Sequence, residues 1–216
     1  MTPTSGPLAD AVDFYRLDAS LKIKPERRSS LGQYMTPAPI CRFMASLFSN
    51  TTGQTRVLDP GAGVGSLTAA FAERVCMQSS RPATVEFVCY EIDPMLAGYL
   101  ETTLDTVRRQ CKSSGVAADG CCQFGDFILK TRDALEHGLF SPEQEEFTHA
   151  ILNPPYRKIT SKSEHREALR AIGVETSNLY SGFMFAAAQR LRSGGEMVAI
   201  VPRSFCNGPY FKHFRE

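Results

Sequence analysis

Residues 56–68, Arg-Val-Leu-Asp-Pro-Gly-Ala-Gly-Val-Gly-Ser-Leu-Thr, read as a short strand, a glycine-rich turn and the first turn of a helix continuing through Ala69, Ala70, Phe71 and Val75. Glycine permits positive φ and lets backbone approach a ligand closely. The turn lacks the Gly-x-Gly-x-x-Gly spacing of a dinucleotide site, and no Gly-Lys-Ser/Thr follows to hold a nucleoside triphosphate. Tight packing of strand against helix accounts for the glycines equally well. The unit then repeats in kind. Strand candidates at 85–90, 122–125, 147–152 and 196–201 alternate with helix candidates at 66–77, 94–111, 127–137 and 179–191. Such alternation predicts an α/β fold, a doubly wound, mainly parallel sheet covered on both faces. Gly194-Gly195 is expected to stop the last helix, and Leu179, Phe183, Ala187 and Leu191 within it form a core stripe. Upstream, 37–48 reads as a helix and 49–55 as a polar linker, while 10–17 suits a short helix. Residues 1–9, rich in Thr, Pro, Ser and Gly, are expected to be mobile.

The carboxyl ends of these strands carry the chemistry. The second ends in Glu91-Ile92-Asp93-Pro94, and an acidic residue there can accept from ribose hydroxyls. The third ends in Asp126-Phe127, where the carboxylate can accept from an adenine amino group with Phe127 on the ring, or can simply cap the following helix. The fourth delivers Asn153-Pro154-Pro155-Tyr156. An exocyclic amino nitrogen has its lone pair drawn into the ring, so methylating it requires acceptors that hold its hydrogens while the nitrogen turns tetrahedral. The Asn153 side-chain oxygen and the Pro154 carbonyl can supply them. Two prolines fix φ and stiffen the turn, and Tyr156 offers a flat face for a planar group. An ordinary Asn-Pro loop start followed by a surface tyrosine has the same letters. Taken in order, the four strand ends line the edge where open parallel sheets bind ligands.

With these motifs the chain resembles the S-adenosylmethionine-dependent amino-methyltransferases, and within them the DNA adenine-N6 methyltransferases of type II restriction-modification systems. Residues 31–40, Leu-Gly-Gln-Tyr-Met-Thr-Pro-Ala-Pro-Ile, are similar to the segment that closes over the methionine end of the cofactor in that family. Its place before the glycine turn, with Asn-Pro-Pro-Tyr well after, is the gamma arrangement. The resemblance implies a Rossmann-like methyltransferase fold and S-adenosylmethionine as cofactor. Tyr34, Thr36 and Pro37 would lie at its methionine end, and Asp59, Gly61, Ala62, Gly63 and Gly65 along the glycine turn. Glu91 would hold the ribose, Ile92 and Phe127 would sandwich the adenine, and Asp126 would bind its amino group. Asn153, Pro154, Pro155 and Tyr156 would form the catalytic tetrapeptide on an adenine flipped out of DNA, with no metal and no covalent enzyme intermediate. Thr36-Pro37 also reads as a plain helix start.

Residues 1–30 are expected to be a flexible or helical extension and 31–216 the methyltransferase domain. Only five strand candidates occur where the family has seven, and 209–216 reads as a helix without a stop signal. The domain is therefore expected to be truncated, lacking its closing hairpin and target-recognition region. A net charge of +1 is low for a protein that grips DNA unaided, although Arg157, Lys158, Lys162, Arg166 and Arg170 follow the tetrapeptide and 22–28 is basic. Either run also reads as a solvated face. Seven cysteines form no Cys-x-x-Cys pair, which suggests a reduced, cytoplasmic protein, and no twenty-residue apolar run suggests a membrane span. The implied partners are double-stranded DNA and, within such a system, a cognate restriction endonuclease. A glutamine-N5 protein methyltransferase, an RNA amino-methyltransferase and an inactive cofactor-binding fragment are the competing readings.

Overall fold

The computed structural model describes residues 7–23, 34–49, 51–138, 146–203 and 205. Leu31 to Gln33, the basic positions 24–28 and the expected helix at 209–216 lie outside the described residues.

Five strands, β1 (Gln54–Pro60), β2 (Thr84–Glu91), β3 (Ala117–Phe124), β4 (Phe147–Leu152) and β5 (Leu191–Ala199), form one sheet in the order β3-β2-β1-β4-β5. Every pairing is parallel. Successive side chains of a strand point to opposite faces, and here each face has its own core. Val57, Phe87, Cys89 and Ile151 pack beneath α1 (Leu8–Lys22), α2 (Ala38–Ser46), α3 (Ser66–Met77) and α4 (Pro94–Ser113). Leu58, Val88, Tyr90, Ala150 and Leu152 pack beneath α5 (Phe127–Gly138), α6 (Glu164–Ala171) and α7 (Leu179–Gln189). The doubly wound parallel sheet expected from the alternation is thus observed. Strand order reverses at β1, between β2 and β4, which places a crevice at the carboxyl ends of those strands.

Three expectations are corrected. Leu8 and Ala9 are buried rather than mobile, because α1 packs on the first core and Ala9 N donates to Glu73 Oε2 at 2.8 Å. β3 begins at Ala117, not 122, and its Ala-Ala-Asp-Gly start pairs in register with Thr84 to Phe87. Gly194-Gly195 does not stop a helix: α7 ends at Gln189 and both glycines lie within β5. There Leu191 pairs with Phe147 and Glu196 with His149, so residues 192–195 are looped out of register with β4.

Candidate functional site

β1 runs into the glycine turn, which is anchored to the end of β2 by Gly61 N and Ala62 N, each 2.9 Å from the Tyr90 carbonyl oxygen. Two of its glycines do different work. Gly63, with φ +58, faces the cleft, where an added Cβ would come no nearer than 3.9 Å to Met35. Gly65, with φ +85, is the N-cap of α3, and a Cβ there would stand 2.8 Å from Thr103 Cγ2 and 2.9 Å from Leu100 Cδ1. Gly65 therefore serves the packing of α3 on α4 and does not line the cleft.

Glu91, the last residue of β2, is buried, and its carboxylate accepts from Gly63 N at 2.8 Å, Ile92 N at 2.9 Å and Asp93 N at 2.7 Å. Burial pushes its pKa up, and the three backbone donors oppose that shift. Asp59, at the end of β1, lies beneath the cleft floor instead of facing the cleft. Its Oδ2 accepts from Thr68 Oγ1 at 2.7 Å, while Oδ1 is buried without a partner among the described residues. Burial pushes the Asp59 carboxyl up to about 7.

Asp126 fulfils the capping reading of its position, and its second oxygen meets a side chain of α6. Oδ1 accepts from Ile128 N at 2.9 Å and Leu129 N at 3.1 Å, capping α5, and Oδ2 lies 2.7 Å from His165 Nε2 on α6. Burial acts to raise its pKa, but His165 and the two backbone donors outweigh burial and hold it below the ordinary carboxyl value. Phe127 is buried with its ring 5.1 Å from Tyr90 and 5.4 Å from Phe183, while Ile92 is 47% exposed on the same cleft.

β4 delivers Asn153 to the lip. Asn153 Nδ2 donates to the Tyr34 carbonyl at 2.8 Å and to Thr36 Oγ1 at 3.0 Å, which fixes the amide so that Oδ1 turns toward the Tyr156 hydroxyl, 3.1 Å away. That hydroxyl also lies 3.0 Å from the Ile200 carbonyl, so one proton faces two acceptors. Thr36 spends its hydroxyl on Asn153 and does not cap α2. The N-cap position is Pro37, which makes no side-chain bond and stays outside the cleft. Pro154 is buried, and among the described residues no donor takes its carbonyl oxygen. The half-buried Tyr156 ring sits behind the lip, 6.2 Å from Tyr34 and 6.1 Å from Tyr180.

Together these elements form one partly open cleft. Tyr34, Thr36, Gly61, Ala62, Gly63, Glu91, Ile92, Asp126, Phe127, Asn153 and Pro155 line it, whereas Pro37, Asp59, Gly65, Pro154 and Tyr156 do not. Sequence reasoning missed Met35, Tyr90, Arg157, His165, Leu179 and Phe183, which also line it. Leu179 and Phe183 carried a signal, the helical apolar stripe, but a stripe does not say that its first turn meets a ligand space. Within the basic run, Arg166 and Arg170 both pair with Glu175, while Lys158 and Lys162 are exposed. Among the described residues no helix is long and apolar enough to cross a membrane.

Comparison with known proteins bears out the resemblance carried by these motifs. The family model described as Eco57I restriction-modification methylase matches residues 115–216. The chain is 43% identical over 97% of its length to the type II methyltransferase M.BsuBI of Bacillus subtilis, and 40% identical over 95% to M.PstI of Providencia stuartii. It spans 40% and 39% of the length of those two relatives. Among solved structures, a Listeria monocytogenes protein described as a class I S-adenosylmethionine-dependent methyltransferase superimposes with a TM-score of 0.61 at 14% identity, covering 95% of this chain and 57% of that one. The methyltransferase subunit of a type I restriction-modification system from Streptococcus thermophilus gives 0.52 at 18% identity, covering 80% and 35%. The doubly wound parallel fold is thus shared with those methyltransferase structures, and by sequence the chain is similar to type II methyltransferases over about two fifths of their length.

Proposed function

From that relationship we propose that the cleft binds S-adenosylmethionine and that the chain takes part in methylating N6 of an adenine flipped out of double-stranded DNA, in a system that includes a cognate restriction endonuclease. The single observation that carries the amino-acceptor reading is the Asn153 amide: its nitrogen is tied to Tyr34 and Thr36, which leaves its oxygen, now met by the Tyr156 hydroxyl, as the acceptor for an amino group. The choice of adenine follows the resemblance of the motifs. The bare Gly63 backbone, the fixed Glu91 carboxylate and the Ile92–Phe127 pair fit an adenosine moiety, and Thr36 and Met35 fit its methionine end.

Bound S-adenosylmethionine would supply an electrophilic methyl group on a sulfonium. The rest falls to side chains of this chain. Asn153 Oδ1 and the Pro154 carbonyl accept the two amino hydrogens, and positive charge that develops on nitrogen meets two oriented dipoles. No strong base is required, since the proton leaves after the bond forms. Tyr156 keeps its proton and directs its hydroxyl hydrogen bond to the Ile200 carbonyl when Asn153 Oδ1 is needed by substrate, and its ring packs against the base. Arg157, Lys158 and Lys162 provide phosphate contacts that weaken as salt rises. The test is incubation of the full-length protein with labelled S-adenosylmethionine and DNA, followed by nucleoside analysis. Label in N6-methyladenine is the expected result. Label in a methylated cytosine would overturn the adenine assignment, and label in protein or RNA alone would overturn the DNA assignment.

A further inference from the structure

His165 was singled out by no motif, yet it makes the closest side-chain contact to the carboxylate assigned to the cofactor adenine. Its Nε2 is 2.7 Å from Asp126 Oδ2, and both side chains are mostly buried, at 21% and 16% exposure. The other carboxylate oxygen is already taken by the two N–H groups of α5. Oδ2, which the imidazole engages, is therefore the carboxylate oxygen with acceptor capacity left for an adenine amino group. The imidazole is carried by α6, which follows the tetrapeptide loop and packs on α5.

We propose that His165 is a positioning residue that latches the adenine subsite: it holds Asp126 Oδ2 in the free protein and releases it to the cofactor's amino group. The inference rests on the cofactor reading above. Release costs the protein one charge-assisted hydrogen bond, so the latch lowers affinity for any ligand that needs that oxygen. Asp126 stays ionised, its pKa being held below the ordinary carboxyl value, so the bond that is released is one to a charged acceptor.

The experiment is calorimetric titration of the full chain with S-adenosylhomocysteine at one fixed pH, for the parent, His165→Ala and His165→Gln. His165→Ala should bind roughly three- to tenfold tighter, the size of one net hydrogen bond. His165→Gln keeps a donor for Asp126 and should restore the parental affinity. Equal or weaker binding by His165→Ala would overturn the latch while leaving the cofactor reading intact. Absence of binding by all three folded proteins would overturn the cofactor reading and the latch together.

Discussion

At the end of β2 the Glu91 carboxylate is held by backbone donors of residues 63, 92 and 93 and is 3% exposed. At the end of β4, Asn153 is held by atoms of Tyr34 and Thr36, 119 and 117 residues away in sequence. Both strands are themselves buried, in six of eight β2 residues and in all six of β4. The difference lies in what closes their ends: backbone one crossover away or adjacent in sequence on the Glu91 side, one long-range strap on the Asn153 side. A site built from local turns keeps its shape in the absence of ligand; one built from a distant strap keeps it only while the strap stays docked.

The sharpest way to break this contrast is at the glycine turn. Gly65→Ala adds a methyl to a left-handed position already in contact with Thr103 and Leu100, and should cost about 3 kcal/mol of folding stability by strain plus overpacking. Gly63→Ala has room and should cost only about 1 kcal/mol, while weakening S-adenosylhomocysteine binding. Chemical denaturation and ligand titration of both variants check it; equal stability losses would mean that the two glycines are not divided between packing and binding. On the other side, Asn153→Ala in the full-length enzyme should lower methyl transfer by at least ~10²-fold, about 2.7 kcal/mol. Single-turnover assays at saturating cofactor read this effect, and an unchanged rate would remove the acceptor role.

A smaller effect concerns the floor. The Asp59 carboxyl is pushed up to about 7 in the folded protein. Its contribution is therefore favourable at low pH and is lost as pH rises through that value. Asp59→Asn keeps a partner for Thr68 and should erase the loss, gaining up to about 2 kcal/mol on the parent between about pH 5 and about pH 7.5. Denaturation at both pH values tests it, and parallel behaviour of the two proteins would refute it. The smallest expected change is Tyr156→Phe, which leaves the ring but frees Asn153 Oδ1 of a competing donor. Turnover should fall less than about tenfold, while Tyr156→Ala should fall further. A phenylalanine variant as impaired as the alanine one would assign the role to the hydroxyl.

What the sequence made legible follows the same division. Glu91, Asp126 and Asn153 stand at strand ends marked by glycine and proline, and local chemistry sufficed to find them. The start of β3 was hidden because Ala-Ala-Asp-Gly has low strand propensity and is ordered only by pairing with β2. Gly63 and Gly65 are identical letters in one motif, and only the neighbourhood of α4 separates binding from packing. His165 is a lone histidine among charged residues, and nothing in its spacing says that α6 brings it to Asp126. The Thr36-Pro37 pair also looks like a helix start locally, whereas the Thr36 hydroxyl meets Asn153 at the end of β4.

The strap that joins Asn153 to Tyr34 and Thr36 also ties together two chemical potentials. On the proposed reading Tyr34 and Thr36 meet the cofactor and Asn153 meets the acceptor base, so ordering of that strap by one ligand would lessen the entropy the other must surrender. Linkage of this kind is reciprocal: whatever factor the first ligand adds to the affinity of the second, the second returns to the first.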